Sequence, residues 1–357
     1  MPRRAKSNKS PSPGQRGILA TGLAAWLLVL LATSGCRTPQ PAALQRFEFE
    51  QPQMGLPFRI VLYAESQARG DDAARAAFAR VAALNRVFSD YEDDSELTKL
   101  SRTSGSGRAV PVSDELWRLL NVAQSMSRKS DGAFDITVGS LVQVWRRARR
   151  QRELPAPEVL ADAKARVGWE KVVLDPRART AQLLVPGMRL DFGSIAKGHA
   201  LDEALRILRA HGIPRALVTG SGDMAIGDPP PGRAGWRIEL APLDAPGAPP
   251  TRFLSLQNCG FATSGDLFQH VELDGKRYSH IVDPRTGFAM TDHSLVTVIA
   301  PNCVTANSLS TTTCVVGPVR GLALVAATPG AVASIVRKPG ERVEMRESPS
   351  FTRFIEK

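Results

Sequence analysis

Between Asp191 and Gly198 the chain carries a carboxylate, a hydroxyl, an ammonium and two glycines, in the order Asp191-Phe192-Gly193-Ser194-Ile195-Ala196-Lys197-Gly198. The apolar run from Met188 to Phe192 predicts a strand, and the Gly193-Ser194 turn predicts its passage into a helix over 194–211. Such a helix leaves its first backbone N–H groups unpaired, and with the helix dipole they attract an anion such as a diphosphate. Asp191 and Ser194 add oxygen atoms at that end, Lys197 adds positive charge one turn in, and Gly198 keeps the side open. The chemistry on offer is capture of a phosphate-bearing ligand. An Asp-Gly turn capping an ordinary surface helix would use the same residues.

Five other segments offer chemistry. Met54-Gly55 stands just before a strand, where glycine permits close backbone approach and methionine can lie on an aromatic ring; a turn with a core methionine is the plain alternative. Tyr91, one of three tyrosines, sits in the polar turn Ser89-Asp90-Tyr91-Glu92-Asp93, as a stacking platform for a flat ligand or as a packing residue. At Asp131-Gly132-Ala133-Phe134-Asp135 one helix ends, and Asp135 is spaced to cap the next, which leaves backbone amides within reach of a ligand. Thr219-Gly220-Ser221-Gly222-Asp223 follows a strand with small residues, yet it lacks the third glycine and the following helix of a dinucleotide fingerprint. The stretch from Ser264 to Thr311 holds His280 in a strand leading into the Asp283-Pro284 turn, as a base or as a structural group. Asn307 and Thr311 lie four apart near a helix start, so their oxygens turn to one side, as a hard cation such as Mg2+ requires. Capping and back-bonding explain the same Ser and Thr residues equally well.

The elements that must position these groups are mixed. A strand is predicted over 58–64 and a helix over 71–88, whose Phe78, Val81, Leu84 and Val87 or Phe88 share one face. Ser113 caps a helix that ends before Gly132, another helix runs from Asp135 to Arg149, and a short one ends at Val167. Strands then dominate: 172–175, 181–185, 188–192, 215–219, 236–241, 252–257, 278–282, 294–300 and 331–336, with helices near 304–314 and 319–327. There is no βαβ alternation and no internal repeat, and the Pro-rich stretches 228–232 and 241–250 read as surface loops. The expectation is a single α+β domain of mostly antiparallel sheet packed with helices.

With 43% hydrophobic and 23% charged residues, the 357-residue chain can bury a core. Its net charge of +11 is unevenly placed. Five basic and no acidic residues fall in 1–36, and Arg146, Arg147, Arg149, Arg150 and Arg152 form a second cluster. Without a zinc finger, homeodomain or RNP-type motif, that cluster excludes nucleic acid as the expected partner and reads as a solvated helix end or a contact for anionic lipid or an acidic partner. The basic residues at the start precede an uncharged stretch over 17–31, and Leu31-Ala32-Thr33-Ser34-Gly35-Cys36 is similar to a bacterial lipoprotein cleavage box. The expected organisation is a signal peptide over 1–36, lipidation at Cys36, a tether over 37–46 and a domain over 47–357, with no later segment long and apolar enough to span a bilayer. Cys259, Cys303 and Cys314 remain; a Cys303–Cys314 disulfide and buried thiols are both open.

In this order, the segments FSDYEDDSELTKL, DGAFDITVGSLV, LDFGSIAKGHALD, SGDMAIGD, ATSGD, YSHIVDPRTG and VTVIAPNCVTANSLST resemble the FAD:protein FMN transferases, the ApbE family of periplasmic flavin transferases, over about residues 50–355. The resemblance implies an enzyme that binds FAD with Mg2+, moves the FMN half onto a Thr or Ser hydroxyl of an acceptor flavoprotein through a phosphoester bond, and releases AMP. By matching position, it implies FAD contacts at Met54, Tyr91, Ala133, Phe134, Asp135, Asp191 and Lys197. Metal ligation falls to an oxygen of Ser194 and to Asn307 and Thr311 with Ser310 beside them, and His280 becomes the base for the acceptor hydroxyl. Two positions depart from the family: Asn307 stands where it usually has Asp, and Ser221-Gly222 replaces a glycine pair. The acceptor implied is a membrane redox-pump subunit or related electron carrier, met on the periplasmic side by an enzyme held through Cys36. A Mg2+-dependent FAD pyrophosphatase and a non-catalytic flavin-binding lipoprotein are the alternative functions.

Overall fold

A computed structural model describes residues 43–243, 252–267 and 269–356. The expected signal peptide with Cys36, most of the expected tether and part of the 241–250 loop therefore lie outside the described residues. The chain opens with β1 (Gln45–Gln53) and β2 (Leu56–Ala64), followed by α1 (Gln67–Phe88), α2 (Glu96–Arg102), β3 (Val110–Pro111), α3 (Asp114–Ser130), α4 (Gly139–Gln151), α5 (Pro157–Ala165), β4 (Val172–Asp175) and β5 (Thr180–Leu183). Next come α6 (Ala196–Ala210), β6 (Ala216–Gly220), β7 (Asp223–Ile226), β8 (Trp236–Leu240), β9 (Arg252–Leu256), β10 (Cys259–Gly265), β11 (His270–Leu273), β12 (Lys276–Ser279) and β13 (Ser294–Ala300). The chain then runs through α7 (Cys303–Ala326), β14 (Val332–Arg337) and β15 (Glu344–Glu347).

One antiparallel sheet organises the rest, in the order β1-β2-β6-β7-β10-β13-β14-β15. Strand periodicity of two explains its covering. On β2, Phe58, Ile60 and Leu62 are fully buried and join the core that includes Leu84 of α1, Leu201 of α6 and Leu309 of α7. Val61, pointing the other way, packs with Trp236, Leu254, Phe261 and Phe351. Every residue of β13 is buried, as befits a strand covered on both faces. Each large apolar side chain so enclosed contributes about 1.5–3 kcal/mol. The expected single α+β domain of antiparallel sheet and helices is what forms.

One end of this sheet gathers the polar turns. β1 and β2 are joined by Met54-Gly55, and β6 and β7 by Ser221-Gly222; all four residues take positive φ, the two-residue hairpin geometry that favours glycine. Phe58 pairs with Gly220 and Gly265 with Leu295, which brings both hairpin turns and the end of β10 to the same edge.

Several local expectations change. The 188–192 segment joins no sheet: Arg189 makes an isolated parallel bridge to Val138, while Leu190 N–H donates to Ser101 Oγ at 3.1 Å and Asp191 N–H to the Ile136 carbonyl at 2.7 Å. Its backbone is spent on a side chain and a loop. Helix α6 starts at Ala196, not Ser194, with no side-chain cap, because Asp191 Oδ1 instead accepts from Gly193 N–H at 2.7 Å. Likewise Asp135 does not cap α4, which begins at Gly139; its carboxylate takes the N–H and hydroxyl of Thr137 at 2.8 and 2.7 Å. His280 follows β12, beyond its last residue Ser279. Gln45 and Arg46, read as tether, belong to β1, and Cys303 and Cys314 are free buried thiols. The helices read over 304–314 and 319–327 are one element broken at Gly317-Pro318. That element is, contrary to expectation, long and apolar enough to cross a membrane, but it is the core helix packed on β10, β13 and α6.

Helices α6 and α7 cross at Gly198, where an added Cβ would lie 2.6 Å from the Cys303 carbonyl oxygen and 2.8 Å from the Val304 Cα. Gly198→Ala should therefore lower stability by about 1–3 kcal/mol despite alanine's better helix propensity. Urea denaturation checks this, and an unchanged or raised midpoint would contradict so close a crossing.

Candidate active site

Lys197, on the first turn of α6, extends its ammonium to Asp223 Oδ2 at 2.8 Å. Asp223 begins β7 and is fully buried; its Oδ1 accepts from Thr263 N–H at 3.3 Å and its Oδ2 also accepts from Asn307 Nδ2 at 3.1 Å. Burial raises the Asp223 carboxyl above its ordinary range, and the Lys197 charge opposes that rise. Because the amide end of Asn307 is committed to Asp223, its Oδ1 faces the other way, buried and without a partner. One turn on, Ser264 of β10 meets Ser310 Oγ at 2.8 Å and Thr311 Oγ1 at 3.1 Å. Part of the α7 hydroxyl set does back-bond as the alternative held: Ser310 Oγ donates to the Asn307 carbonyl and Thr312 Oγ1 to the Ser308 carbonyl. Ser194 sits half-buried in the turn before α6.

A second cluster forms around Arg146 of α4, which reaches Asp90 at 2.6 Å and Asp191 at 3.3 Å. Its guanidinium also lies 4.5 Å from the ring centre of Tyr91, a residue 76% exposed, so the ring keeps one open face. Burial first, then the Asp90 charge, raises the Asp191 carboxyl, while Arg146 opposes. The Asp191 backbone in turn holds the 133–138 loop through Ile136, so Ala133, Phe134 and Asp135 are fixed beside it, all three buried. Burial pushes Asp135 up to about 6. Met54 stands at the tip of the first hairpin and packs against the main core.

His280 sits at the open side. Its backbone N–H and Nδ1 both contact the Gln269 carbonyl, at 3.0 and 3.1 Å. A carbonyl only accepts, so Nδ1 carries the proton and Nε2 keeps its lone pair. Solvent reaches the residue, yet desolvation by its surroundings holds the imidazole below its ordinary value, and the charges of Arg149 and Lys197 add to that.

The structure thus joins Lys197 to Asn307, Ser310 to Thr311, and Tyr91 to Asp191. The sequence reading passed over Asp223, Arg146, Asp90 and Ser264. Asp223 is visible only as the acid ending a small-residue turn, and Arg146 is masked by the arginines around it. A cavity of about 780 Å³ opens between α2, α4 and α5, lined by Arg102, Arg147, Arg166 and Arg189, and holds none of the expected residues. Converging hydrogen bonds, rather than volume, mark the site.

The arrangement suits a hard cation. Asn307 Oδ1 is an orphaned carbonyl-type oxygen on the helix that also carries the Ser310 and Thr311 hydroxyls, oxygens of the kind Mg2+ takes. A lysine, a buried carboxylate and a set of uncharged oxygens are thus held together, and a histidine with a free ring nitrogen is exposed. Among known proteins, the ApbE family model matches residues 54–336. An FAD:protein FMN transferase of Klebsiella pneumoniae (strain 342) is 30% identical over 93% of this chain and 97% of its own, and one of Treponema pallidum (strain Nichols) is 32% identical over 85% and 87%. The crystal structure of the ApbE protein of Thermotoga maritima superposes with a TM-score of 0.77 at 28% identity, covering 88% of this chain and all of its own; that of the Pseudomonas stutzeri flavinyl transferase ApbE, apo form, gives 0.77 at 28% identity over 88% and 98%. The chain belongs to the ApbE family.

Asp223→Ala should cost about 3 kcal/mol, the lower part of the range for breaking a buried pair, since Lys197 retains some solvent. The loss should shrink in the double variant with Lys197→Met, because no ammonium is then left unpaired. Additive losses in denaturant titrations would show the two residues to be independent.

Proposed function

We propose that the protein is an FAD:protein FMN transferase that uses Mg2+, acting on the periplasmic side of a bacterial membrane to which Cys36 anchors it. Its acceptor is a flavoprotein, a membrane redox-pump subunit or related electron carrier. Membership of the ApbE family supports the activity, and the named activity of the Klebsiella and Treponema relatives supports it further. One observation carries the site assignment: the Lys197–Asp223–Asn307 chain leaves the Asn307 carbonyl oxygen buried without a partner, one turn before the hydroxyls of Ser310 and Thr311 on the same helix. FAD is the substrate, with Met54, Tyr91, Ala133, Phe134, Asp135, Asp191 and Lys197 as its contacts.

In the reaction, an acceptor Thr or Ser oxygen forms a bond to the phosphorus on the FMN side of the diphosphate. The bond from that phosphorus to the bridging oxygen breaks, and AMP leaves with that oxygen. His280 Nε2 takes the hydroxyl proton; the neutral ring its lowered pKa ensures is the form that can do so. Lys197 offsets negative charge on the phosphoryl oxygens, and Tyr91 offers its open face to the flavin. Asn307, Ser310, Thr311 and an oxygen of Ser194 would hold Mg2+, which when bound supplies charge neutralisation and alignment. A displacement of this kind depends on position and electrostatics more than on a strong nucleophile.

Incubating the protein with FAD and Mg2+, with and without an acceptor domain, should give AMP and a covalently fluorescent acceptor only when acceptor is present. AMP and FMN without acceptor would instead make it a pyrophosphatase, and bound but intact FAD a flavin-binding lipoprotein. His280→Ala should lose transfer by about 100-fold or more while FAD binding persists. In the wild type the rate should fall with acid only below the ordinary histidine value of about 6.5, since protonation removes the base. Unaltered transfer in the variant would remove His280 from the reaction.

Asn307→Asp should make stability metal-dependent. Without metal it deletes the donor to Asp223 and sets two carboxylates together, costing about 1–3 kcal/mol. With Mg2+ the added charge should tighten binding. Coinciding Mg2+ titrations of the two proteins, read by thermal shift, would remove position 307 from the ligand set.

A further inference from the structure

The start of α7 has two caps, and only one is its own. Asn302, the preceding residue, accepts from Thr305 N–H at 3.0 Å in the ordinary way. The first two N–H groups of the helix go elsewhere: Cys303 N–H donates to Asp202 Oδ1 at 2.8 Å and Val304 N–H to Asp202 Oδ2 at 2.9 Å. Asp202 belongs to α6, so one carboxylate of the Lys197 helix grips two amides of the helix that bears Asn307, Ser310 and Thr311. The grip lies beside the Gly198 crossing, where the two backbones already touch. Asp223 forms the other link between these helices, through Lys197 and Asn307. Two separated points of attachment fix both the spacing and the rotation of one helix against the other, which a single link would leave free. Holding the carboxylate there is unfavourable in itself, for burial pushes it up to about 6. Asn302 satisfies only the Thr305 N–H, so the Cys303 and Val304 amides depend on Asp202, a residue of the neighbouring helix, for their acceptors.

We propose that Asp202 is a positioning residue: by clamping the start of α7 to α6 it sets the distance between Lys197 and the Asn307–Ser310–Thr311 face, and with it the affinity of the site for a magnesium–nucleotide diphosphate. The ligand class rests on the transferase reading; the clamp rests on the two hydrogen bonds. Asp202 touches neither nucleotide nor metal.

MgADP, which carries the diphosphate without the flavin, is the probe, titrated calorimetrically against the full-length protein at neutral pH. Asp202→Asn keeps the shape but presents an amide N–H where an acceptor is needed, and it should weaken MgADP binding about tenfold or more, the scale set by roughly ångström misplacement. Asp202→Glu keeps the charge on a longer arm and should lose affinity likewise, which covers the case in which the amide variant folds poorly. Asn302→Ala is the comparison. It frays the same helix end at a similar cost in melting temperature but leaves the clamp, so affinity should stay within about twofold. Apparent KM for FAD should rise in the Asp202 variants more than kcat falls. Equal losses of affinity in the Asp202 and Asn302 variants would reduce Asp202 to a stabilising cap, and wild-type affinity in both Asp202 variants would dismiss the clamp. A wild-type protein that itself fails to bind MgADP would overturn the proposal that this clamp serves a magnesium–nucleotide diphosphate site, whereas failure of the transferase reading shows separately, as no AMP released from FAD.

Discussion

Asp223 is the group on which the rest of the site depends. A fully buried carboxylate is costly, and here three donors from three different elements offset the cost: the Lys197 ammonium, the Asn307 amide and the Thr263 backbone N–H. Each donor is thereby fixed relative to the others, so a helix start, a helix second turn and a strand are held in register by one side chain. The pair contributes little net stability, as buried ion pairs generally do. What it supplies is orientation. With its nitrogen spent on Asp223, Asn307 has one remaining way to present its oxygen.

Such an arrangement needs a rigid frame, and the sheet provides it. Because β2, β7, β10 and β13 are covered on both faces, their ends cannot shift without moving the core. The two-residue turns at Met54-Gly55 and Ser221-Gly222 then stand at one edge by register alone. The 188–193 segment is different in kind: it carries Asp191 and leads to Lys197, yet it is held by scattered contacts to Ser101, Ile136 and Arg146 instead of a ladder.

That difference also decides what could be read from the sequence. The mostly apolar stretches 58–64 and 294–300 marked true strands, and the face of Phe78, Val81 and Leu84 marked a true helix, since local pattern and tertiary burial agree there. β1, β7 and β10 went unread: β1 is mostly exposed with polar residues on both sides, and β7 and β10 are rich in small residues and glycine. Met188–Phe192 was apolar enough for a strand, but its hydrogen bonds go to a loop, which no periodicity reports. Among chemical groups, Lys197 and Asn307 were legible from spacing and family pattern. Their shared partner was not, because a carboxylate's burial is a property of three elements meeting, and one stretch of sequence holds only one of them. Arg146 shows the converse: five nearby arginines look alike in sequence, and only the fold tells which one turns toward Asp90 and Asp191.

The charges of the site, taken together, argue for how it works. Lys197 and Asp223 cancel, and the Arg146 cation meets two carboxylates, one of them buried and raised toward the neutral form. The oxygens of Asn307, Ser264, Ser310 and Thr311 carry no formal charge. On the proposed reading, a divalent cation would meet uncharged oxygens with little attraction at long range, and a bare diphosphate would meet one ammonium already paired. Each ligand alone lacks a counter-charge that the other brings. On that reading the two would arrive as a neutralising pair, and Lys197, drawn from Asp223 toward phosphate, would connect the arrival of substrate to the same carboxylate that orients Asn307.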